Sequence, residues 1–239
     1  MAEQLKTVRD RYSEEDIASF YDQGYWQESS FYGLVTAQAA ATPDAPFLVD
    51  VSTTLTFGEY ADRVLRMAVG LKRAGLQRGE RIAVQLPNWV EFPIIAAAAS
   101  RIGAILVPIM TIYRGDEVGY VLQHSGASIA VTSGEFKGFD HSAMFAELRA
   151  GAPGVRELFV ARSDDSTNGS PLSGLFVEGD VADLEAELGT DSSPDDGFLI
   201  VYTSGTTSRP KGCFHSFNTV RSSAAAIAKS LEYTQDDVQ

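Results

Sequence analysis

Residues 203–212, TSGTTSRPKG, carry the side chains of this sequence that are best suited to bind phosphate. Small residues let the backbone curl so that several N–H groups point into one concavity, and hydroxyl groups add further donors. Gly205 permits close approach of the backbone, Pro210 stiffens the turn, and the ammonium of Lys211 is a mobile positive charge. The sequence therefore predicts a phosphate-binding loop made of Thr203, Ser204, Gly205, Thr206, Thr207 and Lys211.

Two other interpretations of this loop are less consistent with its residues. The P-loop of kinases and NTPases has a glycine directly before the lysine and a serine or threonine after it, whereas Pro210 and Gly212 occupy those positions here. A flexible polar linker has a similar composition, because serine, threonine and glycine are common in loops. It does not explain why hydroxyls, glycine, proline and lysine come together directly after an apolar strand, FLIVY at 198–202.

The elements that must position the loop follow an α/β pattern, in which helical stretches alternate with short β-branched runs. We expect a layered sheet of parallel strands with flanking helices. The predicted strands are RIAVQL, AILVP, SIAVT, ELFVA and FLIVY, beginning at residues 81, 104, 128, 157 and 198. A capping box of Thr56 and Glu59 predicts a helix start, and Gly75 a helix end.

The chain is expected to pass from the loop directly into an amphipathic helix. Its apolar residues Phe217, Val220, Ala224, Ile227 and Leu231 recur at helical spacing, and Ser216 or Asn218 is available as the N-cap. The polar stretch at 162–173, RSDDSTNGSPLS, is expected to be an exposed loop, and a second polar stretch at 189–197, GTDSSPDDG, separates the last region from the preceding units. We therefore predict a first α/β subdomain at 1–190 and the start of a second subdomain at 195–239.

Composition excludes several classes of protein. With 239 residues, 44% of them hydrophobic and 21% charged, the chain is typical of a globular protein. Its formal net charge of −13 disfavours binding to nucleic acid, which depends on lysine and arginine. The single cysteine and the absence of an apolar leader favour a cytoplasmic location. The apolar stretch at 92–110 is broken by Arg101, Gly103 and Pro108, so no transmembrane segment is expected.

The isolated histidines and the cysteine receive simpler interpretations. His124 and His141 have no cysteine or carboxylate partners at ligand spacing, so we expect surface or helix-cap roles and no metal site formed by protein ligands. Cys213 is expected to be a small buried apolar residue. Asp195 and Asp196 are expected to form a solvated turn.

The segment YTSGTTSRPKG at 202–212 closely resembles the signature of the adenylate-forming superfamily, which includes acyl-CoA synthetases, aryl-acid adenylating enzymes and luciferases. The upstream segments LTFGEYADRV, VQLPNWVEF and SRIGAILVPIMTIYRGDEVGYVLQHSG also resemble this family, so the resemblance covers essentially the whole chain. It implies the fold of the N-terminal part of the large domain of these enzymes.

The resemblance also implies a reaction and its ligands. In this family a carboxylate attacks the α-phosphate of ATP, which gives an acyl-adenylate and pyrophosphate, and a thiol, usually of coenzyme A, then takes the acyl group. The loop residues would hold the β- and γ-phosphates, with Mg²⁺ bridging them. The expected ligands are thus ATP, Mg²⁺, coenzyme A and a small carboxylic acid, and fatty acid metabolism is an expected context.

Two residues depart from the family pattern. Ser208 stands where the family usually has a glycine, so a positive φ there would be more costly. Phe217 stands where the family often has a histidine near the acyl pocket, and His215 lies close by in the sequence. His215 and Phe217 are therefore the acyl-pocket candidates.

Family members are considerably longer than this chain, and the motifs for adenine, ribose and the catalytic lysine are absent from it. We expect a truncated form, a proteolytic fragment or a split gene product, with no complete catalytic set, inactive alone and able to form a homo-oligomer. The resemblance favours a CoA ligase for a cyclic or medium-chain acid. An aryl-acid adenylating enzyme and a noncatalytic nucleotide- or partner-binding module are the alternatives.

Overall fold

The computed structural model describes residues 7–203, 209–234 and 237. Its strands are β1 (Pro46–Val49), β2 (Thr54–Thr56), β3 (Arg81–Gln85), β4 (Ile105–Pro108), β5 (Ile129–Ser133), β6 (Glu135–Phe136), β7 (Phe139–Asp140), β8 (Glu157–Ala161), β9 (Ser170–Pro171), β10 (Gly197–Thr203) and β11 (Lys211–Ser216). Its α-helices are α1 (Glu14–Asp22), α2 (Phe31–Ala41), α3 (Phe57–Arg73), α4 (Glu91–Arg101), α5 (Gly115–Ser125), α6 (His141–Arg149), α7 (Val181–Leu188) and α8 (Phe217–Ser230). Short 3-10 helices cover Val8–Asp10 and Leu172–Leu175.

A seven-stranded sheet in the order β11-β10-β4-β3-β5-β8-β9 forms the centre of the molecule. Its neighbouring strands run parallel except β10 and β11, which form an antiparallel hairpin. Ile82 of β3 lies opposite Leu106 of β4 on one side and Ile129 of β5 on the other. Helices connect β3 to β4, β4 to β5 and β5 to β8, as expected for this topology. The predicted α/β fold with a mostly parallel sheet and flanking helices is confirmed.

Helices cover both faces of this sheet. Ile82 and Val84 point into a core that α3 and α4 share, while Ala83 between them belongs to a second core with Val118 of α5 and Phe145 of α6. This division follows from the alternation of side chains along a strand. Burial on both faces also explains why the strands are continuous apolar runs in the sequence.

The predicted start of α3 is confirmed. The backbone N–H of Thr56 donates to the Glu59 carboxylate at 2.9 Å, and the N–H of Glu59 donates to the Thr56 hydroxyl at 3.2 Å. The helix ends at Arg73, and Gly75 follows with a φ of +90°, a conformation that favours glycine.

Two local expectations are corrected. The chain does not pass from the loop directly into a helix, because β11 comes first and pairs with β10 along its length. The segment KGCFHS is poor in β-branched residues, so only this long-range pairing makes it a strand. The polar stretch at 162–173, expected to be an exposed loop, contains β9 and the start of a 3-10 helix.

The sheet continues across the polar stretch at 189–197. Strand β10 follows that stretch and pairs in parallel with β4, at Leu199 and Leu106. The N-terminal segment also reaches this region, since Val8 N–H donates to the carbonyl of Asp195 at 3.0 Å. The division of the chain into subdomains at 1–190 and 195–239 stays a prediction.

Gly70 of α3 provides a test of this packing. A Cβ atom there would lie 2.0 Å from the carbonyl oxygen of Leu175, a backbone atom that cannot rotate away. We expect Gly70→Ala to lower the free energy of unfolding by about 1–3 kcal/mol, as overpacking does. Gly115→Ala, in the first turn of α5 and with nothing within 4 Å, is the control. Urea denaturation that gives equal stabilities for both variants contradicts the close contact.

Candidate phosphate-binding site

The β10–β11 hairpin holds both ends of the predicted phosphate loop. Thr203 is the last residue of β10, Lys211 is the first of β11, and the two lie directly opposite each other. Both side chains are exposed. Ser204, Gly205, Thr206 and Thr207, together with Ser208, lie outside the described residues. The hairpin therefore places a hydroxyl and an ammonium side by side at its end.

One face of the hairpin continues from this pair. Residues directly opposite in an antiparallel ladder share a face, and alternate residues of one strand do so too. Lys211, Cys213 and His215 therefore share a face, opposite Thr203, Val201 and Leu199 respectively. Lys211 and His215 are about 13 Å apart along the strand, at ~3.4 Å per residue.

Cys213 corrects an expectation. It was expected to be a small buried apolar residue, but its side chain is exposed. It lies between Lys211 and His215 on the same strand face. The buried residues of β11 lie on its other face. One of them is Phe214, which lies opposite Ile200.

His215 is half-buried, and its Nδ1 lies 3.5 Å from the hydroxyl of Thr219. The pKa of His215 is below its usual value, first because of burial and second because of the positive charge of Arg11. The imidazole is therefore neutral at neutral pH. It can exchange a hydrogen bond with a ligand, but it adds no charge.

Phe217, the second acyl-pocket candidate, has a different environment. It begins α8, is buried, and stacks on Phe31 with ring centroids 5.2 Å apart. Phe198 completes this aromatic cluster, 5.5 Å from Phe217 in an edge-on arrangement. The structure thus brings Thr203, Lys211 and His215 onto one face, while Phe217 packs against the N-terminal part of the chain.

Asn218 is a positioning residue that the sequence suggested only as a possible helix cap. Ser216 makes the cap instead, by accepting from the N–H of Thr219 at 3.2 Å. The fully buried amide of Asn218 accepts from the N–H of Gln27 at 3.0 Å and donates to Tyr21 at 3.0 Å and Asp195 at 2.9 Å. These bonds join the N-terminal segment to the start of α8.

The turn at Asp195 and Asp196 was predicted to be solvated, but both carboxylates make hydrogen bonds within the protein. Besides the bond from Asn218, the carboxylate of Asp196 accepts from the N–H of Ser193 at 3.0 Å and forms a salt bridge with Arg78. The strand that leads into the site, β10, begins at the next residue. This turn therefore fixes where β10 starts.

Positive charge is concentrated near the hairpin even though the chain is acidic overall. Lys211 and Arg209 lie at its end, and Arg11 donates to the carbonyl of Phe214 on β11 at 3.2 Å. Within 7–203, 209–234 and 237, no salt bridge involves Lys211. Its ammonium is free to bind an anion without first breaking an ion pair there.

A cleft of about 520 Å³ lies beside the hairpin, where β3, β4 and β10 have their carboxyl ends. Such ends are the usual binding edge of a parallel sheet. Its lining includes Tyr202 but neither Lys211 nor His215.

Close to this edge, the buried side chain of Gln85 donates to the carbonyl of Met110 at 2.8 Å and shares a hydrogen bond of 2.9 Å with His141. His141 is 1% exposed, which corrects the expectation of a surface role for it. The pKa of His141 is lowered, mainly by burial and then by the charge of Arg114. Both side chains are bound within the protein and are not available to a ligand.

The described residues also bear on metal binding and on membrane crossing. No group of three or more histidine, cysteine, aspartate or glutamate side chains in that part of the chain is arranged to hold a metal ion. None of the helices described has the length and apolar character needed to cross a membrane.

Sequence reasoning missed four residues next to the loop: Tyr120, His124, Tyr202 and Arg209. His124 is exposed, as expected, but its ring shares a 2.8 Å hydrogen bond with the hydroxyl of Tyr202. Tyr120 and His124 are four residues apart on α5, so their common helix face was predictable. Their contact with the hairpin was not, because it joins segments far apart in the chain.

Comparison with known proteins identifies the family. The family profile described as AMP-binding enzyme matches residues 35–239. The chain therefore belongs to the AMP-binding enzyme family, and the resemblance noted in the sequence is confirmed.

Two curated relatives and one solved structure illustrate the similarity. The chain is 30% identical over 203 residues to 2-hydroxy-7-methoxy-5-methyl-1-naphthoate–CoA ligase of Streptomyces carzinostaticus, covering 82% of this chain and 36% of that protein. It is 28% identical over 229 residues to the medium-chain fatty-acid–CoA ligase of Escherichia coli K12, covering 95% and 40% respectively. The apo structure of Mycobacterium smegmatis MbtA has a TM-score of 0.82 at 24% identity, covering 95% and 41%. The chain thus spans well under half the length of each.

Gly212 provides a test of the hairpin geometry. A Cβ atom there would lie 2.9 Å from Cγ2 of Ile200 and 3.3 Å from Cζ of Tyr202, the residue opposite. We expect Gly212→Ala to lower the free energy of unfolding by about 1–3 kcal/mol. Gly174→Ala, with nothing within 4 Å, should change it little. Equal urea midpoints for the two variants contradict the packing of Tyr202 over Gly212.

Proposed function

We propose that this chain supplies the ATP phosphate-binding part of a ligase that activates a carboxylic acid and transfers its acyl group to coenzyme A. The observation that carries the proposal is the pairing of Thr203 with Lys211 at the ends of the family's signature loop, on a strand face that also presents His215. Membership of the AMP-binding family supports it. So do the names of the relatives, which are CoA ligases for an aryl acid and a medium-chain fatty acid.

In this proposal a carboxylate oxygen of the acid attacks the α-phosphorus of ATP. The bond from that phosphorus to the bridging oxygen breaks, pyrophosphate leaves, and an acyl-adenylate forms. The thiol sulfur of coenzyme A then attacks the acyl carbonyl carbon, AMP leaves, and the thiol proton passes to solvent. Chemistry of this type depends mainly on placing the phosphates and compensating their charge.

Thr203 and Lys211 carry the described part of this role. The ammonium of Lys211 neutralises charge on the pyrophosphate leaving group, and the Thr203 hydroxyl donates to a phosphate oxygen. Ser204, Gly205, Thr206 and Thr207 are proposed as further phosphate ligands on sequence grounds. Mg²⁺ and coenzyme A are implied by the family, and no described residue is assigned to either of them.

The acyl group is proposed to lie toward His215. A molecule that holds its phosphates at Lys211 reaches His215 after about 13 Å of strand. The neutral imidazole, partly apolar and able to form a hydrogen bond, suits the uncharged end of such a ligand. Phe217, the other acyl-pocket candidate, is buried in an aromatic cluster with Phe31 and Phe198. A cyclic or medium-chain acid remains the proposed substrate, with an aryl acid as the alternative.

Lys211 is the residue whose replacement tests the proposal. We expect Lys211→Ala to weaken binding of Mg·ATP by about tenfold or more, because a charged hydrogen bond contributes roughly 1.5–3 kcal/mol. Lys211→Arg keeps the charge and should lose less. Lys229→Ala removes an exposed lysine of α8 and is the matched control. Titration calorimetry of the 239-residue chain gives these affinities.

The complete reaction is tested by exchange of labelled pyrophosphate into ATP, with the protein from its natural source and a panel of cyclic, medium-chain and aryl acids. Exchange that requires one acid supports the ligase and identifies the acid class. Binding of Mg·ATP without exchange for any acid favours a noncatalytic nucleotide-binding module instead. Absence of both binding and exchange overturns the proposal.

A further inference from the structure

We propose that Tyr120 and His124 of α5 are positioning residues that hold Thr203 and Lys211 in place and thereby set the affinity of these two residues for phosphate. The proposal rests on the proposed function, because it assumes that Thr203 and Lys211 bind phosphate. Neither Tyr120 nor His124 touches that phosphate. They act through Tyr202, which precedes Thr203, and through Arg209, which precedes Lys211 by two residues.

On the incoming side, His124 fixes the end of β10. Its Nδ1 and the hydroxyl of Tyr202 share a hydrogen bond of 2.8 Å, and the two rings meet edge-on with centroids 5.7 Å apart. The ring of Tyr120 also meets that of Tyr202 edge-on, at 6.3 Å. Burial raises the pKa of Tyr202 to about 12, so its hydroxyl keeps its proton at neutral pH. Because Thr203 is the next residue, these contacts also fix the position of its backbone.

On the outgoing side, Tyr120 holds Arg209. The guanidinium carbon lies 5.3 Å from the centroid of the Tyr120 ring, within the range of a cation–π interaction. His124 also contacts the ring of Tyr120, since its imidazole stacks on that ring with centroids 5.2 Å apart and an interplanar angle of 27°. One stack of rings on a single helix face therefore contacts both ends of the loop.

Helix α5 is a rigid support for these contacts. Val118, Val121 and Leu122 lie in the core beneath the sheet and are almost completely buried. Because a binding loop is effective only when its donors are already in place, supporting contacts of this kind raise affinity without touching the ligand. Loss of the stack leaves Thr203 and Lys211 paired in the ladder but removes the support that α5 gives to that end of it. We therefore expect weaker phosphate binding rather than unfolding.

The experiment measures binding of pyrophosphate, and of Mg·ATP, to the 239-residue chain by titration calorimetry. Tyr120→Leu and His124→Ala remove one anchor each, and each should weaken binding by about threefold to tenfold, the range for one lost hydrogen bond or ring contact. Tyr120→Phe keeps the ring, and His124→Asn keeps a polar atom near Nδ1. Both conservative variants should bind within about twofold of the wild type.

Gln123→Ala is the matched control. Gln123 neighbours His124 on α5 but bonds to the carbonyl of Gly151, away from the loop. The affinity of Gln123→Ala for pyrophosphate and for Mg·ATP should equal that of the wild type. Thermal melts of all variants check that the fold is kept, and hydrogen exchange at the amides of Thr203 and Lys211 gives a second readout that needs no ligand. Exchange should become faster in Tyr120→Leu and His124→Ala but not in Gln123→Ala.

The outcomes separate the two proposals. A wild-type chain that binds pyrophosphate, with weaker binding and faster exchange confined to Tyr120→Leu and His124→Ala, supports the anchoring role. Wild-type affinity in both of those variants overturns it and leaves the proposed function intact. A wild-type chain that does not bind pyrophosphate overturns the proposed function, and unchanged amide exchange in the same variants then overturns the anchoring role as well.

Discussion

The antiparallel pairing of β10 with β11 is the constraint on which the site depends. Backbone hydrogen bonds along this ladder bring residues on either side of the loop into register, so that Thr203 faces Lys211. The ladder is in turn attached to the rest of the sheet by the parallel pairing of β10 with β4, the third strand from that edge. Any slip of one residue in this register would move Lys211 to the opposite face of its strand.

The net charge of the chain means that attraction of an anion has to come from residues close to the hairpin. A chain with a net charge of −13 repels a nucleotide at long range, so binding must come from nearby groups. Lys211, Arg209 and Arg11 lie on or beside the hairpin, while the acidic residues Asp195 and Asp196 are occupied by Asn218 and Arg78. His215, whose pKa is lowered by burial and by Arg11, is neutral at neutral pH and adds no charge of its own.

The parts of the fold that could be predicted are those specified by local pattern. The apolar strands at 81–85 and 129–133 and the capping box at Thr56 depend on neighbouring residues, and each lies where expected. Strand β11, the burial of His141 and the exposure of Cys213 depend on which distant segment covers them. The candidate site shows the same division, since Lys211 follows from the sequence motif whereas the contact between His124 and Tyr202 requires the fold.

The two faces of the hairpin have different physical roles. Ile200 and Tyr202 pack into the core that α5 and α6 share, which holds the hairpin at this end of the sheet. Thr203, Lys211 and Cys213 face away and are exposed. A strand that binds a ligand needs an exposed face and a buried face. The exposed face makes an ammonium accessible to phosphate, and the buried face fixes the backbone that carries the ammonium. Gly212 suits this arrangement, since a Cβ atom there would lie 2.9 Å from Ile200 and 3.3 Å from Tyr202 and these side chains would have to shift.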